Sequence, residues 1–242
     1  MLRSLLCLLA LTVAAPLQAE EEFVELFNGK DLTGWKADER VWSVEDGLLT
    51  GKSPESEPKL ASNTFAIWKD GKVSDFELVA EFRLEGNNNS GVQYRAQRNP
   101  KNGPFSVVGY QADIHAAPEY TGMLYDEGGR GIAAERGQQV VLKPEGKNEV
   151  KPLPGERKPI DLTEWTTIEV KAVGNRLIHK INGETTVDIT DEDPKNAEAK
   201  GLLALQVHAG PPMKVQYRSV RLKDLSKHKP KNAAEKTEVK AD

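Results

Sequence analysis

Gly109-Tyr110-Gln111-Ala112-Asp113-Ile114-His115 is a stretch in which every second residue changes character. On a β-strand, successive side chains point to opposite faces. Gln111, Asp113 and His115 therefore share one face, and Tyr110, Ala112 and Ile114 share the other. Two more segments read the same way. In Ser90-Gly91-Val92-Gln93-Tyr94-Arg95, the residues Gly91, Gln93 and Arg95 lie opposite Ser90, Val92 and Tyr94. In Leu203-Ala204-Leu205-Gln206-Val207-His208, Gln206 and His208 lie opposite Leu205 and Val207. Each segment offers one side suited to a core and one side carrying Gln, Arg, Asp or His. A face that only meets water is usually built from Lys, Glu, Thr and Ser, as at Glu77, Glu81, Glu169 and Lys171. Gln, Asp, Arg and His are groups of fixed geometry that make paired hydrogen bonds. Sugar hydroxyls, which donate and accept together, suit such a face.

Strand signals continue outward from these segments. Phe76-Glu77-Leu78-Val79-Ala80-Glu81-Phe82-Arg83-Leu84 alternates apolar and mostly polar residues, and Ile168 to Val173 does the same. Gly174-Asn175 and Asn182-Gly183 then separate Arg176 to Ile181 and Glu184 to Ile189. Such dipeptides tolerate positive φ and predict two-residue hairpin turns. Trp42 to Gly51 reads as another hairpin turning at Asp46-Gly47, and Gly201 to His208 and Met213 to Lys223 as two further strands. No long stretch repeats with the 3.6-residue period of a helix. Many short strands joined by turns predict an all-β sandwich or jelly roll.

The two ends of the chain differ from this body. Arg3 leads into LLCLLALTVAA, and Leu17-Gln18-Ala19 precedes Glu20-Glu21-Glu22. A basic tip, a short apolar run and a small residue at the cut site predict a signal peptide over residues 1–19, cleaved after Ala19. The product is then periplasmic or secreted. The apolar run is too short for a permanent membrane span, and no later run is long enough. Cleavage removes Cys7, the only cysteine, and with it any disulfide or cysteine zinc site. Net charge −4 argues against a nucleic-acid partner. Residues 22–225 form one domain of ordinary length. Residues 226–242 hold one valine and no other large apolar residue, which predicts a disordered tail.

Several motifs together resemble a known family. They are Phe23 to Trp35 (FVELFNGKDLTGW), Trp42 to Gly47, Asn89 to Arg95, Gly109 to Ile114, Thr121 to Tyr125, His179 to Gly183 and Val215 to Lys223. In that order they resemble the 3-keto-disaccharide hydrolase domain family, long a domain of unknown function, and cover nearly the whole body. The resemblance implies a concanavalin A-like jelly roll of two curved antiparallel sheets, with sugar bound on the concave one. It also implies cleavage of glycosides oxidised at C3. The C2 proton of such a sugar is acidic because its carbanion is an enolate. A base removes it, the C1 substituent departs, and water adds back. That chemistry needs a base near C2, a positive group or a metal near the C3 oxygen, and an acid near the leaving oxygen. It does not need the paired carboxylates of ordinary glycosidases.

The residues offer candidates for each role. His115 and Asp113 are candidate bases, or joint ligands of one divalent metal ion, with His208 as a third ligand from another strand. Arg95 or Arg130 is placed to hold the enolate oxygen, Glu135 to supply an acid, and Tyr125 to stack on a sugar ring. Gln93, Gln111 and Gln206, with His208, complete the sugar-binding face. Each has a plainer alternative, such as Asp113 pairing with Arg95 or Arg130 as a bridge within the sheet. His179 matches the family but is left out of the site, because its strand can face either sheet. Asp126-Glu127-Gly128-Gly129-Arg130-Gly131 lacks the Gly-Lys-Ser/Thr ending of a phosphate loop and is read as framing the groove mouth. Asp191-Glu192-Asp193 lacks EF-hand spacing and is read as a solvated acidic turn. Two function classes follow: an exported enzyme cleaving 3-keto-glycosides, supplied by a sugar 3-oxidoreductase, and a non-catalytic carbohydrate-binding module of the same fold.

Overall fold

A computed structural model describes residues 22–54 and 59–226. The expected signal peptide and all of the expected tail beyond Ser226 lie outside the described residues.

Among the described residues, seventeen strands form two sheets. The first ten in chain order are β1 (Val24–Glu25), β2 (Trp35–Lys36), β3 (Trp42–Glu45), β4 (Leu48–Lys52), β5 (Thr64–Trp68), β6 (Phe76–Gly86), β7 (Asn89–Arg98), β8 (Val107–His115), β9 (Leu124–Glu127) and β10 (Gly131–Ala134). Then come β11 (Gln138–Leu142), β12 (Glu149–Pro152), β13 (Thr166–Val173), β14 (Arg176–Ile181), β15 (Glu184–Asp191), β16 (Leu202–Val207) and β17 (Met213–Asp224). The larger sheet runs β12-β11-β15-β14-β13-β6-β17-β4-β3, with β1 added beside β17. The seven-stranded sheet runs β10-β9-β8-β7-β16-β5-β2. The described residues include two 3-10 turns, Pro100–Asn102 and Pro144–Gly146.

The local signals explain much of this. At the β14–β15 turn, Asn182 and Gly183 have φ of 50° and 77°, the left-handed pair that a two-residue hairpin with native twist requires. On β6, Phe76, Leu78, Ala80, Phe82 and Leu84 are buried and the residues between them are not. Each large side chain so buried contributes about 1.5–3 kcal/mol. They meet Val92, Tyr94, Tyr110, Ala112, Ile114, Leu205 and Val207 from the other sheet in one core. His179 sits inside this core. Its Nε2 lies 2.8 Å from the Tyr94 hydroxyl, and desolvation holds its pKa down to about 4. All pairings are antiparallel except β11–β15, which is parallel, so the larger sheet is mixed rather than purely antiparallel.

A second, smaller apolar cluster joins Phe65, Ile67, Ala96, Val107 and Ala204. By strand alternation these project from the seven-stranded sheet on the side away from the main core, the side that also carries Gln111 and Gln206. The β7–β8 connection, residues 99–106, is tied to the chain beside that cluster. Phe65 N–H donates to the Phe105 carbonyl at 3.0 Å, and the Ser62 hydroxyl to the Asn102 carbonyl at 3.2 Å. One half of this face is therefore apolar, and the other half is left for polar groups.

Candidate functional site

The polar half of that face holds a cavity of about 290 Å³. Strand register builds it in rows. Asp113 on β8 pairs with Gly91 on β7, and Asn89 pairs with His115. Leu205 on β16 pairs with Val92, which carries Gln206 beside Gly91 and His208 beside Asn89. Gln111 pairs with Tyr125, and Gly109 with Glu127, bringing β9 into the same wall. Asn63, just before β5, closes the far side, and Tyr120, Met123 and Ile132 complete the lining. Ile132 and Tyr120 are exposed at the rim.

Gly91 shapes the floor. A Cβ there would lie 2.5 Å from Gln111 Cδ, so the Gln111 amide occupies the space a side chain would take. From that position Gln111 Nε2 donates to Asp113 Oδ1 at 2.6 Å and to Gln206 Oε1 at 3.3 Å. Gln111 Oε1 accepts from Gln93 Nε2 at 3.2 Å. Asp113 is 1% exposed. Desolvation raises its pKa to about 7, opposed by the Gln111 hydrogen bond and reinforced by the negative charge of Glu127. Burial likewise raises the carboxyl of Glu127, against the lowering effect of Asn63.

The two histidines are held in complementary tautomers. His115 Nδ1 accepts the Ala117 N–H at 2.9 Å, which puts the neutral ring's proton on Nε2. Its ring meets Tyr120 edge-on at 5.1 Å. His208 Nδ1 instead faces the Ala209 carbonyl, which makes Nδ1 the donor and leaves a lone pair on Nε2. Desolvation lowers the His208 pKa; the Ala209 carbonyl opposes this, and the charge of His115 adds to it. At neutral pH the cavity therefore holds an N–H donor on one wall and a nitrogen acceptor on another.

Asp113 Oδ2, Asn89 Oδ1 and Gln206 Nε2 are buried with no partner among the described residues, and all three residues line the cavity. Buried polar atoms are nearly always paired, so each calls for an explanation. A ligand with neighbouring groups that both donate and accept supplies one.

Six of the expected site residues, Asp113, His115, Gln111, Tyr125, Gln206 and His208, line this cavity. The other expectations are corrected. Gln93 is fully buried beside Gln111 and supports the floor without lining the cavity. Arg95 leaves the face altogether. A bulge between Tyr94 and Gln97, with Arg95 at φ 50°, breaks the alternation there. Its guanidinium donates to the carbonyls of Ser74, Gly174 and Glu198, binding the two sheets together at one end. Arg130 is held by Asp126 and Asp191, both at 2.7 Å, and packs over Tyr110. Neither arginine pairs with Asp113. Glu135 is exposed and accepts from Gln138 at 3.1 Å, outside the lining. Asp191 belongs to no solvated turn. It is buried, and it accepts from Tyr110 and Arg130.

Asp113, His115 and His208 do not assemble as a metal-ligand set. Among the described residues no three His, Cys, Asp or Glu side chains are grouped to hold a metal ion. The Ala117 hydrogen bond also leaves His115 Nε2 protonated rather than free to ligate. The sequence reading missed Asn63, Asn89, Tyr120, Met123, Glu127 and Ile132. Of these, Glu127 stands two residues after Tyr125 on the same strand and shares its face.

No curated protein matches the chain in sequence. In fold it is similar to a Parabacteroides distasonis protein assigned to the glycosyl hydrolases, at TM-score 0.57 and 22% identity over 84% of this chain and 94% of that one. It is similar to the carbohydrate-binding module CBM66 of Bacillus subtilis, at TM-score 0.53 and 16% identity over 79% and 96% of the two chains. A non-specific endo-β-1,3(4)-glucanase of family GH16 superposes at TM-score 0.52 with 11% identity over 86% and 92%. These likenesses establish a concanavalin- and galectin-like jelly roll, a fold shared by glycosidases and sugar-binding modules. The family profile described as the 3-keto-alpha-glucoside-1,2-lyase-like domain matches residues 22–223. This is nearly all of the described chain, and the protein belongs to that family.

Proposed function

We propose that the protein is an exported enzyme that cleaves the glycosidic bond of 3-keto-glycosides by elimination. The observation that carries this reading is the buried carboxyl of Asp113. One of its oxygens is held by Gln111 and the other has no partner, in a cavity that also holds an N–H donor and a second carboxyl. Asp113 Oδ2 takes the C2 proton. The C2–H electron pair enters the C2=C3 bond of an enolate, and as the C3 carbonyl re-forms it passes into the C1=C2 bond while the C1–O bond breaks. His115 Nε2–H donates to the C3 oxygen, where negative charge develops. Glu127, in the role first expected of Glu135, gives a proton to the departing oxygen. His208 Nε2 and the amides of Asn89 and Gln206 hold ring hydroxyls, and Tyr120 and Tyr125 flank the ring. Water adding across the double bond completes hydrolysis, and release before that step gives a lyase outcome. A carboxyl titrating near 7 suits proton abstraction near neutral pH.

The substrate requires prior oxidation of a sugar's C3 hydroxyl, so an oxidoreductase acts upstream. Export rests on the leader pattern of residues 1–19, with cleavage after Ala19 and a periplasmic or extracellular site of action. Cell fractionation with N-terminal sequencing tests it: protein confined to the cytoplasm would overturn export, and an intact Met1 on protein outside it would overturn cleavage after Ala19.

The deciding experiment is turnover of chromogenic 3-keto-glucosides of both anomers beside their unoxidised parents. Release from a keto substrate alone supports elimination. Release from neither, by folded protein, replaces this reading with the sugar-binding module.

A further inference from the structure

A second cleft, of about 330 Å³, lies on the other side of Asn63. Asn63 is the one residue, among those described, that lines both spaces. It is fixed on both sides: its Oδ1 accepts the Ala209 N–H at 3.1 Å, and its Nδ2 reaches both oxygens of Glu127 at 3.4 Å. The carboxyl assigned above to protonate the leaving oxygen therefore stands at the junction of the two spaces.

We propose that this cleft is the leaving-group subsite and takes the second sugar ring of a disaccharide. The inference rests on the function proposed above and extends it. With the oxidised ring in the main cavity, the glycosidic oxygen lies at the junction beside Asn63 and Glu127, and the second ring enters the cleft. The walls have the two characters a sugar ring needs. Leu60 and Phe105 offer apolar surface to a ring face. Asp38 and Arg40 form a paired fork of donors and acceptors, joined at 2.6 Å and 3.0 Å, with the Arg40 backbone N–H also on Asp38 Oδ1 at 3.1 Å. The loops that build it are tied together by the Ser62–Asn102 and Phe65–Phe105 hydrogen bonds, so the cleft exists before a ligand arrives. Its place explains why Asn63, outside the strands that carry the acid–base groups, is anchored so firmly.

The test compares a 3-keto-disaccharide with the methyl 3-keto-glucoside, which lacks the second ring. Ala61 is exposed and lines the cleft, so Ala61→Trp fills it. The ratio of kcat/KM for the disaccharide to that for the methyl glycoside is expected to fall about tenfold or more. Arg40→Ala, at an exposed fork, is expected to lower the same ratio. An unchanged ratio in both folded variants overturns the subsite. Calorimetric binding of an unreactive disaccharide and of methyl glucoside separates this proposal from the one it rests on. If the wild type turns over neither keto substrate, tighter binding of the disaccharide that Ala61→Trp abolishes still upholds the subsite. Equal affinity for the two ligands removes it.

Discussion

Gln111 Nε2 lies 2.6 Å from Asp113 Oδ1, while Asp113 Oδ2 has no partner among the described residues. The amide thus makes two chemically equivalent oxygens unequal. Asp113→Asn keeps the oxygen that Gln111 needs and deletes the other. It is expected to lower kcat/KM for a 3-keto-glucoside by roughly two to four orders of magnitude, with near-ultraviolet circular dichroism unchanged. In the wild type, activity is expected to fall on the acid side with an apparent pKa of about 7, where Asp113 takes up its proton. An acid limb well below that value would transfer the role of base to His208, whose pKa is lowered.

The same carboxyl opposes His179 in the pH dependence of stability. Asp113 has its pKa raised from 3.8 to about 7, so the folded state holds the proton more tightly than the unfolded chain. Its contribution is fully favourable below 3.8 and is lost as pH rises to 7, on the order of 4 kcal/mol in all. His179 has its pKa lowered from 6.5 to about 4. Its neutral form is favoured above 6.5, and about 3 kcal/mol is lost as pH falls from there to 4. The two slopes have opposite sign between pH 4 and 6.5. Denaturant unfolding across pH 4–8 is expected to show Asp113→Asn gaining on the wild type up to pH 7 and then levelling. A constant difference would mean that Asp113 ionises as freely folded as unfolded.

His115 offers an N–H through its Nε2 because the Ala117 backbone occupies Nδ1. His115→Ala is expected to reduce turnover of a 3-keto-glucoside at least about a hundredfold, the usual loss on removing one donor to a developing oxyanion. The melting temperature is expected to change little, since the ring is half-exposed. Turnover equal to the wild type would take His115 out of the mechanism.

Gly91→Ala would push a methyl group against the Gln111 amide. The expected cost is about 1–3 kcal/mol of stability, together with loss of activity as Gln111 leaves Asp113. Adding Gln111→Ala to Gly91→Ala should recover much of the stability and none of the activity. Additive destabilisation in that double-mutant cycle would show that the two residues do not compete for the same space.

Arg95→Met would leave the carbonyls of Ser74, Gly174 and Glu198 without their donor. A loss of roughly 3 kcal/mol is expected from unfolding curves. Turnover per folded molecule should be retained, which separates a tie between sheets from a group that touches substrate. A large fall in kcat in a fully folded sample would return Arg95 to the site.

What could be read in the sequence was local. Asp46-Gly47, Gly174-Asn175 and Asn182-Gly183 are turn chemistry, and each sits between two paired strands. The alternation in β8 and β16 separated core from cavity because those strands run without interruption there. Arg95 was misplaced because one bulged residue changes the parity of everything beyond it, and a non-glycine residue at φ 50° leaves no mark in the sequence. Arg130 looked available because its partner Asp191 is 61 positions away. Glu127 was legible from its spacing to Tyr125 and was passed over within a glycine-rich run. Asn63 was not legible, since only tertiary closure brings it to Glu127, 64 residues on.

The strands made last sit in the middle. β16 lies between β7 and β5, and β17 between β6 and β4, with β1 also paired to β17. Neither sheet is continuous until residues 202–224 have joined it, so an N-terminal fragment of any length short of these has two broken sheets and an unclosed core. Folding must wait for the whole body of the chain, because its most distant pairings are central ones. The site closes only once the last two strands have left the ribosome.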